Sequence, residues 1–552
     1  MRAAVPKSRK PRLADVKSFP APTSGLIANQ NRAITSERLP TGQVVRGAAV
    51  LENWFPTETG IRMRGGTARH ATLGDGSKTV EALFCYLNGG NEKMFGATRT
   101  DIYDITAPGG TENFLLGDDL GNELVDDLSN ELGSELLAVA SSLTSGDWYT
   151  VQFATTGGVF LVCVNGADSH RVYDGSTWAT TPAITGVSSA NLNFVWAFKN
   201  RLFFVEEDSL NAWYLPVDQI GGAATKFPLA GVFTLGGSLL FGATVSSDAG
   251  SGMDDRCVFV STEGEVAIYE GTNPAVAADW ALVGVYRIGR PLGKRAHMRV
   301  GGDVMVASDV GLVSILSAVD RDLAALTPSA ISARISTLWT DLVYRNSGAW
   351  QVAIWPRAEY GVVALPPSTD PKLVTPVVNV RTGAWCTFTG WDIRCMTVFG
   401  DRFFYGSVGG KVFEAEVSGA DDGAPYTASV IPLFDDCKTP AHRKVAQMSR
   451  ATVLGPRDPG ASLAVRTDYN ADLGTAPSDT PSTATVSWGT GIWGVSVWGA
   501  VRERKAFATW RSTHGQGYTI APLYRVTSGA IDVPDFELVR IDVTYEVGDI
   551  VS

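Results

Sequence analysis

A loose repeat of two-strand units over residues 78–417 constrains the fold of this chain more than any other feature of its sequence. Each copy contains an apolar strand, a short turn with Gly, Asn, Asp or Glu, and a second strand that often holds an aromatic residue. Turns of this composition are typical of β-hairpins. The copies lie at 94–106, 160–178, 202–217, 257–271, 304–316, 377–388 and 403–416.

A single hairpin leaves one apolar face uncovered, whereas hairpins arranged around an axis cover one another. The copies follow one another at intervals of mostly about 40 to 70 residues, in the range of propeller blades with variable loops. We therefore predict an all-β protein with a β-propeller of six or seven blades over residues 75–420. A pair of β-sandwiches with long loops is the competing fold.

The composition favours strands and sets limits on function. Of 552 residues, 45% are hydrophobic and 19% charged, and the chain has 59 Gly and 15 Trp. High glycine and aromatic content indicates many strands and tight turns rather than a helical bundle. The formal net charge of −11 excludes a protein that binds nucleic acid through bulk positive charge.

The sequences that flank the predicted propeller have a different character. Residues 1–33 contain seven basic residues and one acid, a net charge of +6, and four prolines that exclude a regular helix. We predict an extended basic arm that either stays solvated or becomes ordered on an acidic partner, with Arg9, Lys10 and Arg12 as candidate contacts. Residues 34–74 are predicted to form a platform segment that packs with a β-sandwich-like domain at 421–552, in which candidate strands lie at 462–469, 506–513, 518–527 and 537–548.

Two stretches inside the predicted propeller depart from the hairpin pattern. Residues 112–135 contain eight acids and no base, and we interpret the region near 112–140 as an acidic insertion in a blade loop. Residues 327–343 have an apolar stripe at helical spacing, with Thr327 as the capping residue and Pro328 at the first helical position. This pattern predicts one amphipathic helix packed on the propeller.

Two clusters are candidate interaction sites. One is a basic patch in the segment 287–299, which either contacts phosphates or an acidic neighbour or forms a solvated loop face. The other contains three tryptophans at intervals of five, which cannot all face one side of a straight strand and serve either packing or a partner interface. The residues concerned are Arg287, Arg290, Lys294, Arg295 and Arg299 in the patch, and Trp488, Trp493 and Trp498 in the second cluster.

No sequence pattern nominates reactive chemistry. The five histidines have no metal-ligand spacing, and neither a nucleophile elbow nor a phosphate-binding loop occurs. The sequence YDGSTW at 173–178 resembles the Asp-box turn of sialidase-type propellers, but its Asp and Gly are adjacent. The sequence DYNAD at 468–472 lacks the glycine and glutamate of a calcium loop. We expect no enzyme and no catalytic, metal or cofactor site.

The compartment is predicted from the cysteines and from the absence of targeting patterns. Six scattered cysteines, without a C-x-x-C pair, are expected to be free and buried in a reducing environment. Neither an export signal nor a membrane-spanning helix is expected.

The order of several short segments resembles a known family. PAPTSGL at 20–26 is followed by AAVLENWFPTETGIRMRGGTARHATL at 48–73. This combination resembles the opening of tail proteins of short-tailed bacteriophages, in which an N-W-F-P … R-x-G segment precedes a β-propeller. The segments 301–319, SWGTGIWGVSVWG at 487–499 and YEVG at 545–548 are also similar to parts of such proteins. The family is the tail nozzle, or tail tubular protein B, although this chain is shorter than its best-known members.

The resemblance implies a structural virion protein, assembled in the host cytoplasm and located in the tail. It implies a homo-hexameric ring below the portal and head–tail adaptor, with a tail fibre or spike as a further partner and only indirect membrane contact. Genomic DNA is expected to pass through the lumen without specific binding, since the chain outside the arm has a net charge of −17. A glycan-binding or glycan-hydrolysing propeller for host-receptor recognition is the alternative, and a propeller scaffold in a bacterial cell is a third hypothesis.

Overall fold

A computed structural model describes residues 15–28, 45–109, 136–246, 255–367, 374–478, 504–529 and 532–548. The chain divides into two compact units. Unit 1 contains 1–64, 384–387 and 424–552, and unit 2 contains 65–383 and 388–423. Unit 2 therefore lies, in sequence, between the two larger segments of unit 1 and is interrupted by the short third segment, 384–387.

The described elements are almost all strands. The first part of the chain contains β1 (Asp15–Pro20), β2 (Gly25–Leu26), β3 (Gly47–Glu52), β4 (Trp54–Pro56), β5 (Ile61–Met63), β6 (Gly66–Thr72), β7 (Val80–Tyr86), β8 (Lys93–Thr98), β9 (Ile102–Asp104), β10 (Ala138–Ala140), β11 (Tyr149–Thr155), β12 (Gly158–Val164), β13 (Arg171–Tyr173), β14 (Trp178–Ala179), β15 (Ile184–Thr185), β16 (Leu192–Phe198), β17 (Arg201–Glu206), β18 (Asn211–Tyr214), β19 (Gly222–Ala223), β20 (Thr225–Pro228), β21 (Leu239–Val245), β22 (Arg256–Ser261), β23 (Glu265–Gly271) and β24 (Trp280–Arg287).

The remaining elements follow in chain order and include three short α-helices. They are β25 (His297–Val300), β26 (Asp303–Ser308), β27 (Gly311–Ser314), α1 (Ile315–Asp320), α2 (Leu323–Ser329), α3 (Ser336–Arg345), β28 (Gln351–Trp355), β29 (Tyr360–Ala364), β30 (Val374–Asn379), β31 (Trp385–Thr389), β32 (Cys395–Phe399), β33 (Arg402–Gly406), β34 (Lys411–Ser418), β35 (Tyr426–Pro432), β36 (Lys444–Gly455), β37 (Ser462–Thr467), β38 (Lys505–Phe507), β39 (Arg511–Gly517), β40 (Ile520–Ser528) and β41 (Glu537–Val547). Three 3₁₀-helices lie at 189–191, 331–335 and 356–358.

Unit 2 is a β-propeller, as predicted. Six separate antiparallel sheets form blades: β7–β10, β11–β14, β16–β17–β18–β20, β21–β24, β25–β27, and β32–β33–β34–β6. The strands β28–β30 fill the sector between the fifth and the last of these sheets. Contacts between neighbouring sheets run from β7 through β11, β16, β21, the fifth sheet, β28 and β32 back to β7, so the ring is closed.

The ring closes with a strand from the N-terminal side of the propeller. β6 pairs antiparallel with β34, for example Thr72 with Lys411 and Ala68 with Glu414. This pairing corrects the predicted platform segment 34–74 and the predicted propeller start at 75, because residues 66–72 belong to a blade. Residues 395–418 supply only three strands to the last blade, β32, β33 and β34, and the fourth strand comes from the segment that precedes the first blade.

Unit 1 is a sandwich of two sheets. One sheet has the order β38–β36–β41–β5–β4, with β1 also paired to β41 and β39 to β36. The other contains β2, β3, β35, β40 and β37 in that order. Side chains from both sheets share one core, in which Phe19 and Val543 of the first meet Val465 and Ile520 of the second.

The basic arm predicted for residues 1–33 ends earlier than expected. Residues Asp15–Pro20 form β1, which pairs with β41 in register from Asp15–Tyr545 to Pro20–Arg540. Ser18 Oγ donates to Asp542 Oδ1 at 2.5 Å, and Lys17 Nζ lies 2.5 Å from Asp435 Oδ2. Ser18 and Lys17, which belong to the predicted arm, therefore hold β1 on the sandwich.

Three further predictions differ from the structure. The predicted helix 327–343 is split, because the chain is extended at Ala330 (φ −60°, ψ 143°) between α2 and a 3₁₀-helix, and Pro328 lies inside α2. The predicted strand 506–513 is two strands, β38 and β39. Residues 138–140 of the predicted acidic insertion form β10, the outer strand of the first blade, while 112–135 lie outside the described residues.

Candidate functional site

The predicted partner contacts fall outside the described part of the chain. Arg9, Lys10 and Arg12 precede β1, and Trp488, Trp493 and Trp498 lie between β37 and β38. Their proposed interface roles remain predictions.

The predicted basic patch is not one surface. Arg290 is 68% exposed and pairs with Glu263 at 2.8 Å. Arg299 Nε donates to the carbonyl of Gly301 at 3.1 Å, and Arg287 ends the outer strand of another blade. Sequence proximity suggested a shared positive face, but the chain between these residues passes from the outer strand of one blade to the inner strand of the next.

The two remaining patch residues project toward the propeller axis. Lys294 Nζ and Arg295 Nη2 lie 2.6 and 2.9 Å from the two carboxylate oxygens of Asp147. Arg295 also donates to the carbonyls of Glu81 (3.0 Å) and Trp148 (2.6 Å). One guanidinium therefore links the start of β25 to β7 and to the segment before β11, across three blades.

The charges of this cluster act on one another and are partly buried. Burial disfavours the charged form of Asp147, but Arg295 and Lys294 outweigh it and hold the carboxyl pKa below its ordinary value. Burial likewise lowers the pKa of Lys294, against the opposing effect of Asp147. The cluster is a compensated ion-pair group rather than a free cationic site.

Four aromatic rings from successive inner strands pack together near the ion-pair cluster. The His297 ring stacks on Phe241 with centroids 4.3 Å apart, and Tyr149 lies 3.8 Å from Phe194. The Tyr149 hydroxyl is 3.4 Å from His297 Nε2. Burial lowers the pKa of His297 to about 4, so this imidazole is neutral at neutral pH. The four side chains come from β11, β16, β21 and β25, the inner strands of four successive blades.

A cavity of about 280 Å³ lies next to the ion-pair cluster. It is bounded by residues at the beginning of β7, β25, β28 and β32, just before β11, and just after β29. The inner strands of a propeller run in one direction, so their starts meet at one mouth of the axis. We name it the axial cavity; its lining is Thr79, Val80, Glu81, Asp147, Lys294, Arg295, Ala349, Trp350, Gln351, Ala364, Leu365, Pro366, Pro367, Ile393 and Arg394.

Of this lining, only Lys294 and Arg295 were predicted as candidate site residues from the sequence. Glu81, Asp147, Gln351 and Arg394 were missed because each is an isolated polar residue far from the others in the chain. Each nevertheless lies within two residues of the start of an inner strand. The strands β7, β11 and β32 each precede a copy of the hairpin repeat, and a polar residue beside the start of such a strand is the signal that could have identified the cavity.

The Asp-box-like sequence forms a structural turn between β13 and β14. Asp174 Oδ1 accepts hydrogen bonds from the backbone nitrogens of Ser176 (2.8 Å) and Thr177 (2.7 Å). These donors lower the carboxyl pKa to about 2. The following Trp178 packs 5.0 Å from Phe95, in the core between two blades. The turn thus positions a core tryptophan.

The calcium-like sequence at 468–472 is also a set of turns. Asp468 Oδ1 accepts from the backbone nitrogens of Tyr518 and Thr519 at 2.7 and 3.1 Å. Asn470 Oδ1 accepts from the backbone nitrogen of Asp472 at 2.9 Å. Among the described residues, no group of three or more His, Cys, Asp or Glu is arranged to hold a metal ion.

All six cysteines are free, as predicted. Five are buried, and Cys85 is half-buried. Burial raises the pKa of the Cys85 thiol to about 11, so the thiolate is scarce at neutral pH.

The N-W-F-P … R-x-G segment forms a buried junction in unit 1. Asn53 adopts a left-handed conformation (φ 58°) and donates from Nδ2 to the carbonyl of Thr427 at 2.7 Å. Arg64 Nε donates to Asn53 Oδ1 at 2.9 Å, and the Arg64 guanidinium lies 3.9 Å from the centre of the Tyr426 ring. Asn53, Trp54 and Arg64 are each 0% exposed. The segment is therefore a structural turn with a buried Trp.

No family model and no curated protein matches the chain. Among solved structures it is similar to the computationally designed Ika8 protein (12% identity, 63% of this chain and 100% of that one, TM-score 0.33). It is also similar to Saccharomyces cerevisiae Sqt1 (8%, 64% and 99%, 0.35) and to BBS1N in complex with ARL6DN (9%, 64% and 97%, 0.36). Similarity at this level does not indicate a function for the chain. Within the described residues, no helix has the length and hydropathy needed to cross a membrane.

Proposed function

We propose that the protein is a structural component of a short bacteriophage tail, of the nozzle type. It assembles into a homo-oligomeric ring, expected to be hexameric, below the head–tail adaptor, and the genome passes through the ring into the host. The observation that carries this proposal is the organisation of the chain. A propeller follows the N-W-F-P … R-x-G junction and is inserted into a sandwich built from both chain ends.

The exposed outer strand of one blade is suited to contact another subunit. β24 is the edge of its sheet, and it exposes Leu282, Val283 and Val285 at 46, 36 and 37%. Monomeric proteins usually protect such edges with charges, prolines or a covering segment, because an uncovered apolar edge pairs with other chains. A heterologous contact at this edge generates a closed ring if the rotation between subunits closes.

The β24 edge gives a direct test of ring formation. We expect Val285→Lys to reduce the mass of the assembled protein, because a lysine on an edge strand opposes pairing with another chain. Val276→Lys is the matched control, since Val276 is 45% exposed but lies outside β24. Light scattering on both variants and the unmodified chain measures the effect. Equal masses for all three proteins would contradict a role of the β24 edge in assembly.

The second test concerns the proposed docking of the basic arm on the adaptor. Residues 2–14 contain five basic residues and no acid, and they end before β1. We expect deletion of 2–14 to weaken association with the adaptor and to leave β1 in place. A deletion extending through residue 18 would remove most of β1 and confuse docking with folding. Undiminished complex formation by the shorter deletion would contradict the docking role.

The glycan alternative makes a different prediction. A glycosidase requires two carboxylates free to act on the substrate. In the axial cavity, Asp147 is paired with Lys294 and Arg295, and Glu81 Oε2 accepts from the backbone nitrogen of Gly146 at 2.9 Å. Specific glycan binding by a monomeric form of the protein would favour receptor recognition over the nozzle.

A further inference from the structure

The chain contains two Asn-Gly steps, Asn88-Gly89 and Asn165-Gly166, and they lie in opposite environments. Asn88 and Gly89 are exposed in the turn between β7 and β8. Asn165, which follows β12, is 5% exposed. In such a step the backbone nitrogen of the glycine can attack the carbon of the asparagine side-chain amide, since glycine has no Cβ to obstruct the approach. The two steps therefore present the same dipeptide in two structural contexts.

The buried step is held in place by hydrogen bonds. Asn165 Nδ2 donates to the carbonyl of Ser145 at 2.8 Å and to Asp168 Oδ2 at 2.7 Å. Its Oδ1 accepts from two backbone nitrogens at 3.0 and 2.8 Å. The Gly166 nitrogen donates to the carbonyl of Leu192 at 2.9 Å. The side-chain amide and the nitrogen that would attack it are therefore both fixed by other partners.

The exposed step is held much less firmly. Asn88 Nδ2 donates to the Tyr86 hydroxyl at 3.0 Å, which is the one side-chain hydrogen bond of Asn88 within the described chain. Among the same residues, the Gly89 nitrogen has no hydrogen-bond acceptor. A Cβ built at Gly89 or Gly90 would meet no atom within 4 Å, so the turn is open to solvent. The Gly89 nitrogen and the Asn88 amide carbon can therefore approach each other with the loss of a single hydrogen bond.

The same turn joins the first blade to the second. Tyr86 Oη donates to the carbonyl of Val159 in β12 at 3.1 Å, and Asn91 Nδ2 donates to the carbonyl of Gly175 at 2.7 Å. The Tyr86 hydroxyl has one proton, which it gives to Val159, so it accepts from Asn88. A carboxylate at residue 88 only accepts, and it would compete with Val159 for that proton. Conversion of the amide to a carboxylate therefore opposes the contact between the two blades.

We propose that Asn88 deamidates spontaneously in the folded protein and that the product weakens the contact between the first two blades. The Gly89 nitrogen forms a bond to Asn88 Cγ, the Cγ–Nδ2 bond breaks, and the proton of the Gly89 nitrogen leaves with Nδ2 as ammonia. Water then opens the resulting succinimide ring. Cleavage of the new bond gives aspartate, and cleavage of the original peptide bond gives isoaspartate. The reaction consumes water and releases ammonia, without oxidation or reduction.

The site and its contacts lie within unit 2, so the proposal does not depend on the assignment of the protein to a phage tail. The test is peptide mapping by mass spectrometry after long incubation of the full-length protein at mildly alkaline pH. We expect the Asn88 peptide to gain the mass difference between NH₂ and OH and to separate into two products. The Asn165 peptide is expected to react at least about twentyfold more slowly, since each further hydrogen bond that must break lowers the reactive population about fivefold. Equal rates at both residues would overturn the proposal.

The same incubation in urea separates the effect of structure from that of sequence. In the unfolded chain both asparagines precede glycine without fixed hydrogen bonds, so we expect similar rates. A difference as large in urea as in the folded protein would contradict the structural argument. Asn88→Gln is expected to eliminate the mass gain in its peptide, because the longer side chain does not form the same ring. Isoaspartate formed at the three Asp-Gly steps, at residues 75, 174 and 422, leaves the mass unchanged and is not counted.

Hydrogen exchange measures the effect on the blades. Asn88→Asp reproduces the aspartate product, and Asn88→Gln is the matched control that keeps an amide donor. The Leu87 nitrogen donates to Gln152 Oε1 at 2.7 Å across the same blade boundary, and we expect its exchange to be about fivefold faster in Asn88→Asp. The amide of Ile268, buried in β23, is expected to stay unchanged. Equal exchange of Leu87 in both variants would contradict the weakened contact. If either variant fails to fold, fresh and aged samples of the unmodified protein give the same comparison.

Discussion

Arg295→Met tests the claim that one guanidinium braces the mouth of the propeller. In the unmodified protein the Arg295 guanidinium donates to the carbonyls of Glu81 and Trp148 at 3.0 and 2.6 Å. The substitution removes this charged donor from both carbonyls. Hydrogen bonds to charged groups contribute about 1.5–3 kcal/mol each. The pair with Asp147 adds at most about 1 kcal/mol, because the Asp147 side chain is 44% exposed. Since water in the cavity can hydrate the carbonyls partly, we expect a net loss of about 3 kcal/mol.

Arg290→Met is the matched control, since it removes the same side chain from the same sequence segment. Arg290 is mostly exposed, and its pair with Glu263 contributes about 0–1 kcal/mol. Urea unfolding of the full chain, followed by tryptophan fluorescence, gives the free energies of unfolding. Hydrogen exchange of the amides in β7 and β11 assigns the loss to unit 2. A difference of less than about 0.5 kcal/mol between the two variants would refute the brace, because ordinary surface substitutions vary by that amount.

Two other substitutions follow from the same packing. His297 has a folded-state pKa of about 4 and an unfolded one near 6.5. Its contribution to the free energy of unfolding is therefore fully present above pH 6.5 and falls by about 1–3 kcal/mol toward pH 4. We expect His297→Gln to flatten this fall in acid unfolding curves, whereas His514→Gln, on an exposed position of β39, leaves it; identical curves for both variants would contradict the assignment. Gly242→Ala places a Cβ 2.3 Å from the buried Trp196 ring, and we expect a loss of about 1–3 kcal/mol in thermal unfolding. A Cβ at Gly231 meets no atom within 4 Å, so Gly231→Ala should be nearly neutral. Equal losses of stability in the two glycine variants would contradict the predicted clash with Trp196.

The propeller could be predicted from the sequence because its signal is local. Each hairpin places its apolar residues and turn residues within about 20 residues, which is a pattern that sequence analysis detects well. The ring closure could not be predicted in the same way. β6 has a weak apolar pattern, and its partner β34 lies more than 300 residues later in the chain.

The candidate site was only partly predictable for a similar reason. The basic segment 287–299 was visible as a cluster of charges, but charge partners depend on tertiary structure. Asp147 lies nearly 150 residues from Lys294 and Arg295, and Glu263 compensates Arg290 from another loop. The burial of a charged side chain in β41 also depends on tertiary partners, since Asp542 is 2% exposed. Ser18 and Arg450 hydrogen-bond its carboxylate there.

The most direct test of the proposed function is the mass and symmetry of the purified full-length protein, alone and with the adaptor, by light scattering and particle imaging. We predict a six-fold ring with an axial channel wide enough for duplex DNA, formed by the protein alone or on addition of the adaptor. A protein that stays monomeric in both conditions would contradict the proposal that it forms the conduit of a phage tail.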